Sequence, residues 1–194
     1  MSMKLRDYLG RCKTRLSQAI KLAKIKRASE RVARRTSSGV GLRINGEGVI
    51  TMPSTLNIGK NVHIGNNYYI DSRGGVEIGD NTHISRNFVC YSANHQYEDK
   101  ALPYDESLVK RQVVIGPNVW IGMNVCIVPG VKVGEGAIIG MGAVVSSDLP
   151  PLSIAVGNPA KVVKYRDKDR YNDLDRRKQY GGINGRLIKP KTEF

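Results

Sequence analysis

The sequence predicts an all-β solenoid, a parallel β-helix built from hexapeptide repeats, on three observations. An aliphatic residue recurs every six positions, at Ile58, Ile64 and Ile70, then after a shift of two at Ile78, Ile84 and Cys90, and later at Ile115, Ile121, Ile127, Val133, Ile139 and Val145. Glycine usually follows it, as in Ile58-Gly59, Ile78-Gly79 and Ile115-Gly116. A small or β-branched residue often sits four places past it, at Val62, Thr82, Val119, Val125, Val131, Ala137 and Ala143. A period of six matches neither the 3.6 of a helix nor the two of an alternating strand. It fits a short strand and a sharp corner, with the aliphatic and small residues turned into a narrow interior and glycine permitting close approach at the corner. Three such faces close a coil of roughly 18 residues, and coils stack by parallel pairing about 4.7–4.9 Å apart. Six in-phase repeats from Ile115 to Ser146 argue against chance spacing in a glycine-rich sandwich.

The elements follow in chain order. Residues 4–35 read as a helix: Leu5, Tyr8, Leu9, Cys12, Leu16, Ala19, Ile20 and Ala23 recur at three- and four-residue spacing, lysine and arginine crowd the other positions, and no proline intervenes. They make residues 1–38 a basic amphipathic extension. Ile44, Ile50 and Leu56 mark a weaker first coil, so the β-helix spans 39–165. Residues 96–112, QYEDKALPYDESLVKRQ, break the repeat, are polar and carry Pro103. They cannot fill the interior and must project as a loop, a natural place for chemistry. Pro159 fixes the exit of the chain. The basic tail, 166–194, predicts a short helix around 167–180 and then an extended strand, with Gly181-Gly182 and Pro190 near the end.

Charge and composition narrow the function classes. The net charge of +14 is carried by the ends: residues 1–35 hold 12 Lys and Arg against 2 acids, 161–194 hold 11 against 5, and the body between them is near neutral. A nucleic-acid channel through the body is therefore not expected, whereas two basic extensions on a neutral module are. Cys12, Cys90 and Cys126 are far apart and outside any CxxC, which argues against a disulfide scaffold or zinc knuckle and fits a reducing compartment. No apolar run approaches the ~20 residues of a membrane span. The start, MSMKLRDYLGRCKTR, has no apolar core of signal type, so a cytoplasmic protein is expected.

His63, His83 and His95 each stand five residues after the aliphatic position of their repeat, so all three are expected to face outward near a corner, and phase alone does not choose among them. His63 and His83 are 20 residues apart, which sets one above the other as surface residues. His95 stands just before the projecting loop, and imidazole is the side chain with the unperturbed pKa best suited to a general base near neutrality. Asp71 occupies a position where most repeats carry glycine, as a turn cap or a polar group at the site.

The stretches Ile115-Gly-Pro-Asn-Val-Trp-Ile-Gly122, Pro129-Gly-Val-Lys-Val-Gly134 and Val156-Gly-Asn-Pro-Ala-Lys161 together resemble the hexapeptide-repeat acyltransferases, in their sugar O-acetyltransferase branch of galactoside, maltose and capsule or lipopolysaccharide enzymes. The resemblance covers roughly residues 40–165. It implies a left-handed coil, an exception to the usual right-handed crossover. It implies acetyl-CoA as acyl donor, no metal, and a homotrimer with sites between subunits. By the same resemblance His95 is the general base; Trp120, Met123, Met141, Ser146, Ser147, Lys161 and Lys164 line the CoA groove; and Asp71 and Asn94 touch the acceptor. The expected reaction is O-acetylation of a sugar hydroxyl in polysaccharide or lipid-linked glycan biosynthesis. N-acetylation of an amino sugar or sugar nucleotide, or of a drug, is the alternative.

Two further classes stand beside this one. A three-histidine zinc hydratase of the same fold is not matched by separations of 20 and 12 residues. A binding module with polybasic arms would show strongly salt-dependent affinity. Residues 4–35 can cap the β-helix, pack on another subunit, or lie on the inner face of an anionic membrane.

Overall fold

The computed structural model describes residues 3–188, with side chains from residue 13 onward. The hexapeptide register closes five complete coils. The first is β1 (Ser37–Ser38), β2 (Arg43–Ile44) and β3 (Gly48–Thr51); the second is β4 (Leu56–Ile58), β5 (His63–Ile64) and β6 (Tyr68–Asp71). The third is β7 (Val76–Ile78), β8 (His83–Ile84) and β9 (Val89–Tyr91), after which β10 (Ala93–His95) and β11 (Leu108–Lys110) leave the prism as an antiparallel hairpin. The fourth is β12 (Val113–Ile115), β13 (Trp120–Ile121) and β14 (Cys126–Ile127); the fifth is β15 (Lys132–Val133), β16 (Ile138–Ile139) and β17 (Val144–Val145). β18 (Ser153–Val156) starts a sixth coil, and β19 (Lys161–Tyr165) returns antiparallel upon it. Face 1 stacks β1-β4-β7-β12-β15, face 2 stacks β2-β5-β8-β13-β16-β18, and face 3 stacks β3-β6-β9-β14-β17. The parallel β-helix expected from the repeat is the observed architecture.

Every aliphatic repeat position from Ile58 to Val145 is buried, and so are the seven small or β-branched positions. Burial of apolar surface at about 25 cal/mol per Å² drives each rung onto the next. Thr82 is tolerated in this interior because its hydroxyl donates to the Gly116 carbonyl at 2.9 Å.

The corners divide their work between two residue types. A Cβ at Gly65 or Gly79 would lie 2.4 Å from the backbone nitrogen of Arg86 or Pro117 in the next coil, so these glycines serve close stacking rather than an unusual dihedral. The left-handed corner residue stands three places past the aliphatic one: it is an asparagine in the earlier repeats, with φ of 53° at Asn61, 56° at Asn81 and 57° at Asn118, and a glycine in the later ones, at Gly130, Gly136 and Gly142. Asparagine is among the few residues that visit this region readily. Its amide also ladders between coils: Asn61 Nδ2 donates to Asn81 Oδ1 at 2.9 Å, and Asn87 Nδ2 to Asn124 Oδ1 at 2.7 Å.

A helix, α1 (Met3–Ala33), precedes the first coil. Its last turns cap the prism: Ile25, Ala28 and Val32 are buried, and the Ser29 hydroxyl accepts the Ile44 backbone N–H at 2.9 Å. The expected apolar stripe does not do this packing. Leu16 and Ile20 stay exposed, as do Ala19 and Ala23, because the helix at that point has run past the end of the coil. Leu5, Tyr8, Leu9 and Cys12 fall outside the described side chains. At the other end, α2 (Lys168–Arg176) is N-capped by Asp167, whose carboxylate accepts from Arg170 N at 2.8 Å. The buried Tyr171 hydroxyl donates to Glu135 at 2.8 Å and accepts from Asn118 at 2.7 Å. The chain beyond α2 folds back over face 2 through Asn61 Nδ2 to the Gly181 carbonyl, 3.1 Å. A 3-10 turn, Ile183–Gly185, stands where an extended strand was expected, and Pro190 lies outside the described residues.

Candidate active site

The edge between face 3 and face 1 carries the hairpin. Ser92 is buried at its root, where its hydroxyl donates to the Asp71 carbonyl at 2.7 Å and accepts the Gly74 N–H at 2.9 Å. The other leg is tied to the first by Arg111 N donating to the Ser92 carbonyl at 2.8 Å. A chain held at both feet projects as a fixed arm.

His95 sits at the end of β10. Its Nδ1 is 3.1 Å from the Asp105 carbonyl oxygen, and its ring stacks on Tyr104 with centroids 4.1 Å apart. A carbonyl can only accept, so the proton of the neutral ring belongs on Nδ1, and Nε2 keeps its lone pair. Asp105 is held in turn: its carboxylate accepts Ser107 N at 2.8 Å and also the Ser107 hydroxyl. Asn94 is exposed beside His95, its side-chain oxygen accepting the His95 N–H at 3.0 Å. Tyr104 and Asp105 escaped sequence reasoning because they lie about ten residues away in an irregular polar segment, with no periodicity to mark them.

Asp71 is fully buried at the end of β6. Arg73 Nη2 reaches its Oδ2 at 2.5 Å and Arg73 Nε its Oδ1 at 2.9 Å, while Thr51 Oγ1 donates to Oδ1 at 2.9 Å. Burial pushes this carboxyl upward, yet the bonds from Arg73 and Thr51 outweigh it and hold it below the usual carboxylate range. A carboxylate bonded this fully holds Arg73 in place and has little left for a ligand. Arg73 is a residue that sequence reasoning missed; a cation two places after a carboxylate in a corner was the available signal. Tyr69 and Tyr91 stack nearby on face 3, centroids 5.4 Å apart.

The residues expected along the donor lie elsewhere on the prism. Trp120 projects from face 2, 57% exposed. Met123 and Met141 stack one coil apart at the corner between faces 2 and 3, where Gly142 N donates to the Met123 carbonyl at 2.8 Å. Lys161 and Lys164 are exposed on β19, opposite Val156 and Ile154 at the end of face 2. Ser146 and Ser147 are exposed just after β17, on the same edge as the hairpin but two coils above its root. One chain thus brings Asn94, His95 and the two serines to one edge, and Trp120, the methionines and the lysines to another part of its surface.

Face 2 also floors a cleft of about 900 Å³, walled by the segment after α2. His63 and His83 stack in its floor, centroids 4.1 Å apart and planes 11° from parallel, and His83 pairs in register with Trp120 in the next coil. Burial, then His83, then Arg43 lower the His63 pKa to about 4, and burial lowers that of His83. Both rings are neutral at pH 7. No group of three or more His, Cys, Asp or Glu among the described residues is placed to hold a metal ion, and no described helix is long and apolar enough to cross a membrane.

Two family models match the chain: the bacterial transferase hexapeptide (six repeats) over residues 112–147, and the hexapeptide repeat of succinyl-transferase over 56–90. Among solved structures, a maltose O-acetyltransferase from Clostridium difficile is 30% identical, covering 71% of this chain and 73% of its own, with a TM-score of 0.61. A galactoside acetyltransferase in complex with coenzyme A is 27% identical, covering 81% and 76%, with a TM-score of 0.62. A hexapeptide-repeat-containing acetyltransferase from Vibrio cholerae is 25% identical, covering 84% and 92%, with a TM-score of 0.64. No curated protein sequence matches the chain.

Proposed function

The chain belongs to the hexapeptide-repeat acyltransferase family, and on that premise we propose that it transfers the acetyl group of acetyl-CoA to a sugar hydroxyl, in the assembly of a polysaccharide or its lipid-linked precursor. The observation that carries the proposal is the orientation of His95, whose Nδ1 faces the Asp105 carbonyl and whose Nε2 is left to accept a proton. Nε2 takes the proton of the attacking hydroxyl as its oxygen bonds to the thioester carbonyl carbon. The tetrahedral intermediate then collapses, the C–S bond breaks, and the imidazolium returns the proton to the CoA sulfur. No covalent enzyme intermediate and no metal are required.

The remaining candidates take roles by position. Trp120 lines the acyl end of the donor, Met123, Met141, Ser146 and Ser147 line its pantetheine arm, and Lys161 and Lys164 meet its phosphates. Asn94 faces the acceptor, and Asp71 serves it through Arg73. His95 leaves one edge of the prism while Trp120 and the methionines occupy face 2 and the opposite corner. In this reading a second copy meets the hairpin of the first, and a closed threefold ring satisfies every copy alike. Helix α1, with Lys and Arg exposed along its described length, supports peripheral contact with an anionic membrane at the cytoplasmic side.

The test is thermal unfolding with and without acetyl-CoA, followed by an acceptor panel using His95→Ala as control. A saturable rise in midpoint, with turnover on hydroxyl sugars that His95→Ala abolishes, is expected. No rise at millimolar acetyl-CoA sinks the proposal. Turnover confined to amino sugars replaces O- with N-acetylation. Light scattering reads the trimer, and sedimentation with anionic vesicles reads the membrane contact.

A further inference from the structure

The face 2 cleft runs down the prism from the end where the proposed donor residues stand. Its floor descends from Ile138 and Trp120 through His83 and His63 to Asn45 in the first coil. Met141 follows Ile138 at the corner of the fifth coil, beside the upper end of the cleft, and the two lysines stand beyond it on β19. The cleft and the proposed donor groove therefore meet at Trp120. Its floor is a ladder of flat rings, with His63 on His83 and the exposed indole of Trp120 one coil above. Its rims carry neutral amides, among them Asn66, Gln179 and Asn184. The charged side chains that line it are Arg86, Arg166 and Asp175, a net of one positive charge. Arg166 is already spent on the Gly136 carbonyl at 2.9 Å and the Tyr171 ring, and both histidines are neutral. One further feature stands out: His83 Nε2 is buried with no hydrogen-bond partner among the described residues, a state that native interiors seldom tolerate without a ligand or water.

Flat rings that stack and amides that both donate and accept, in a nearly neutral cleft, match a neutral, hydroxyl-rich, ring-shaped ligand. The volume matches several such rings rather than one, since ligand pockets of about 300–1,000 Å³ hold whole drug-sized molecules. We propose that this cleft is an acceptor-extension subsite that takes a neutral oligosaccharide of two or more rings, whose reactive end is presented to the donor at Trp120. The inference rests on the acyltransferase function proposed above and narrows its sugar acceptor to a neutral glycan of two or more rings held along face 2.

Trp120 is the only tryptophan of the chain, so its fluorescence reports occupancy of the cleft mouth. The experiment applies the full-length protein to an array of neutral and charged glycans of one to six rings, then titrates the best binder while following Trp120 emission. Expected are binding that strengthens at least tenfold from one ring to three, a saturable emission change, and a loss of at least tenfold in Asn66→Ala and Gln179→Ala. Both substitutions should leave the acetyl-CoA-induced melting shift intact, which shows that the variants are folded. Binding only of charged glycans, affinity independent of ring number, or unchanged affinity in both variants overturns the subsite. Absence of glycan binding alongside a normal acetyl-CoA shift overturns the subsite alone, whereas absence of the acetyl-CoA shift overturns the acyltransferase function.

Discussion

His95 Nδ1 lies 3.1 Å from the backbone oxygen of Asp105, ten residues away on the returning side of the hairpin. The bond does for the imidazole what a carboxylate does in many acid–base pairs: it fixes the tautomer and the ring plane. A backbone acceptor adds no charge to the imidazole, and no side-chain substitution at residue 105 deletes it.

His95→Ala is expected to lower kcat by about 10²–10⁴, the usual worth of a positioned general base. His95 is only half-buried on a projecting arm, so the melting temperature and the acetyl-CoA affinity should be unchanged. Loss of cofactor binding in this variant would show that His95 has another role.

Arg73→Ala strands the buried Asp71 carboxylate with Thr51 as its remaining side-chain partner. Breaking a buried pair from one side costs about 3–5 kcal/mol. The partial exposure of the Arg73 side chain, 32%, places the expected loss toward about 2–3 kcal/mol. The double variant Asp71→Asn, Arg73→Ala should recover part of that loss in urea denaturation. If the double variant is no better than the single one, the pair is not the source.

Gly79→Ala and Gly142→Ala should separate the two uses of glycine. The Cβ at residue 79 meets Pro117 N at 2.4 Å, and overpacking against backbone is expected to cost about 3 kcal/mol or more. The Cβ at residue 142 meets nothing within 4 Å, but φ is +73°, so only the left-handed penalty of about 1–2 kcal/mol applies. Denaturation midpoints read the difference directly.

The stacked pair at face 2 predicts acid sensitivity in a defined window. Unfolded His63 binds its proton near pH 6.5, while in the fold burial, then His83 and Arg43, depress the pKa to about 4. The stability it contributes is complete above pH 6.5 and is lost as pH falls from 6.5 toward 4. Asp71, depressed below its ordinary 3.8, contributes stability above 3.8 and gives it up only at lower pH. The melting temperature should therefore fall by a few degrees between pH 6.5 and 4. His63→Phe, which keeps a ring on His83 but cannot titrate, should reduce that slope, leaving the part that belongs to the buried His83 and the fall below pH 3.8. An unchanged slope would locate the sensitivity elsewhere.

Lys161→Ala and Lys164→Ala should each raise KM for acetyl-CoA about tenfold while leaving KM for S-acetyl-pantetheine, which lacks the nucleotide, unchanged. Equal effects on both donors would remove the lysines from the phosphate end.

The repeat alone was enough to read the solenoid, because each hexapeptide must bury its own aliphatic residue whatever its neighbours do. Ile58, Ile78, Ile115 and Val133 stand on one face for that reason. The break at residues 96–112 was equally legible, since polar residues cannot enter the interior, although the hairpin begins at Ala93 and returns by Lys110. The roles of the corner residues were only half visible: glycine stood out by frequency, yet in the earlier repeats Asn61, Asn81 and Asn118 carry the left-handed turns that Gly130, Gly136 and Gly142 carry later. The apolar stripe of α1 misled, because spacing along a helix does not say where the helix ends relative to its partner. What the chain determined by itself was therefore the periodic part, where the physics is local and repeated. Tertiary structure decided how Asp105 orients His95, how Arg73 occupies Asp71, and how the segment after α2 closes a cleft over His63, His83 and Trp120. Each of these joins residues through space in a way no spacing records, because a hydrogen bond or a ring contact depends on where two backbones arrive and not on how far apart they are in sequence.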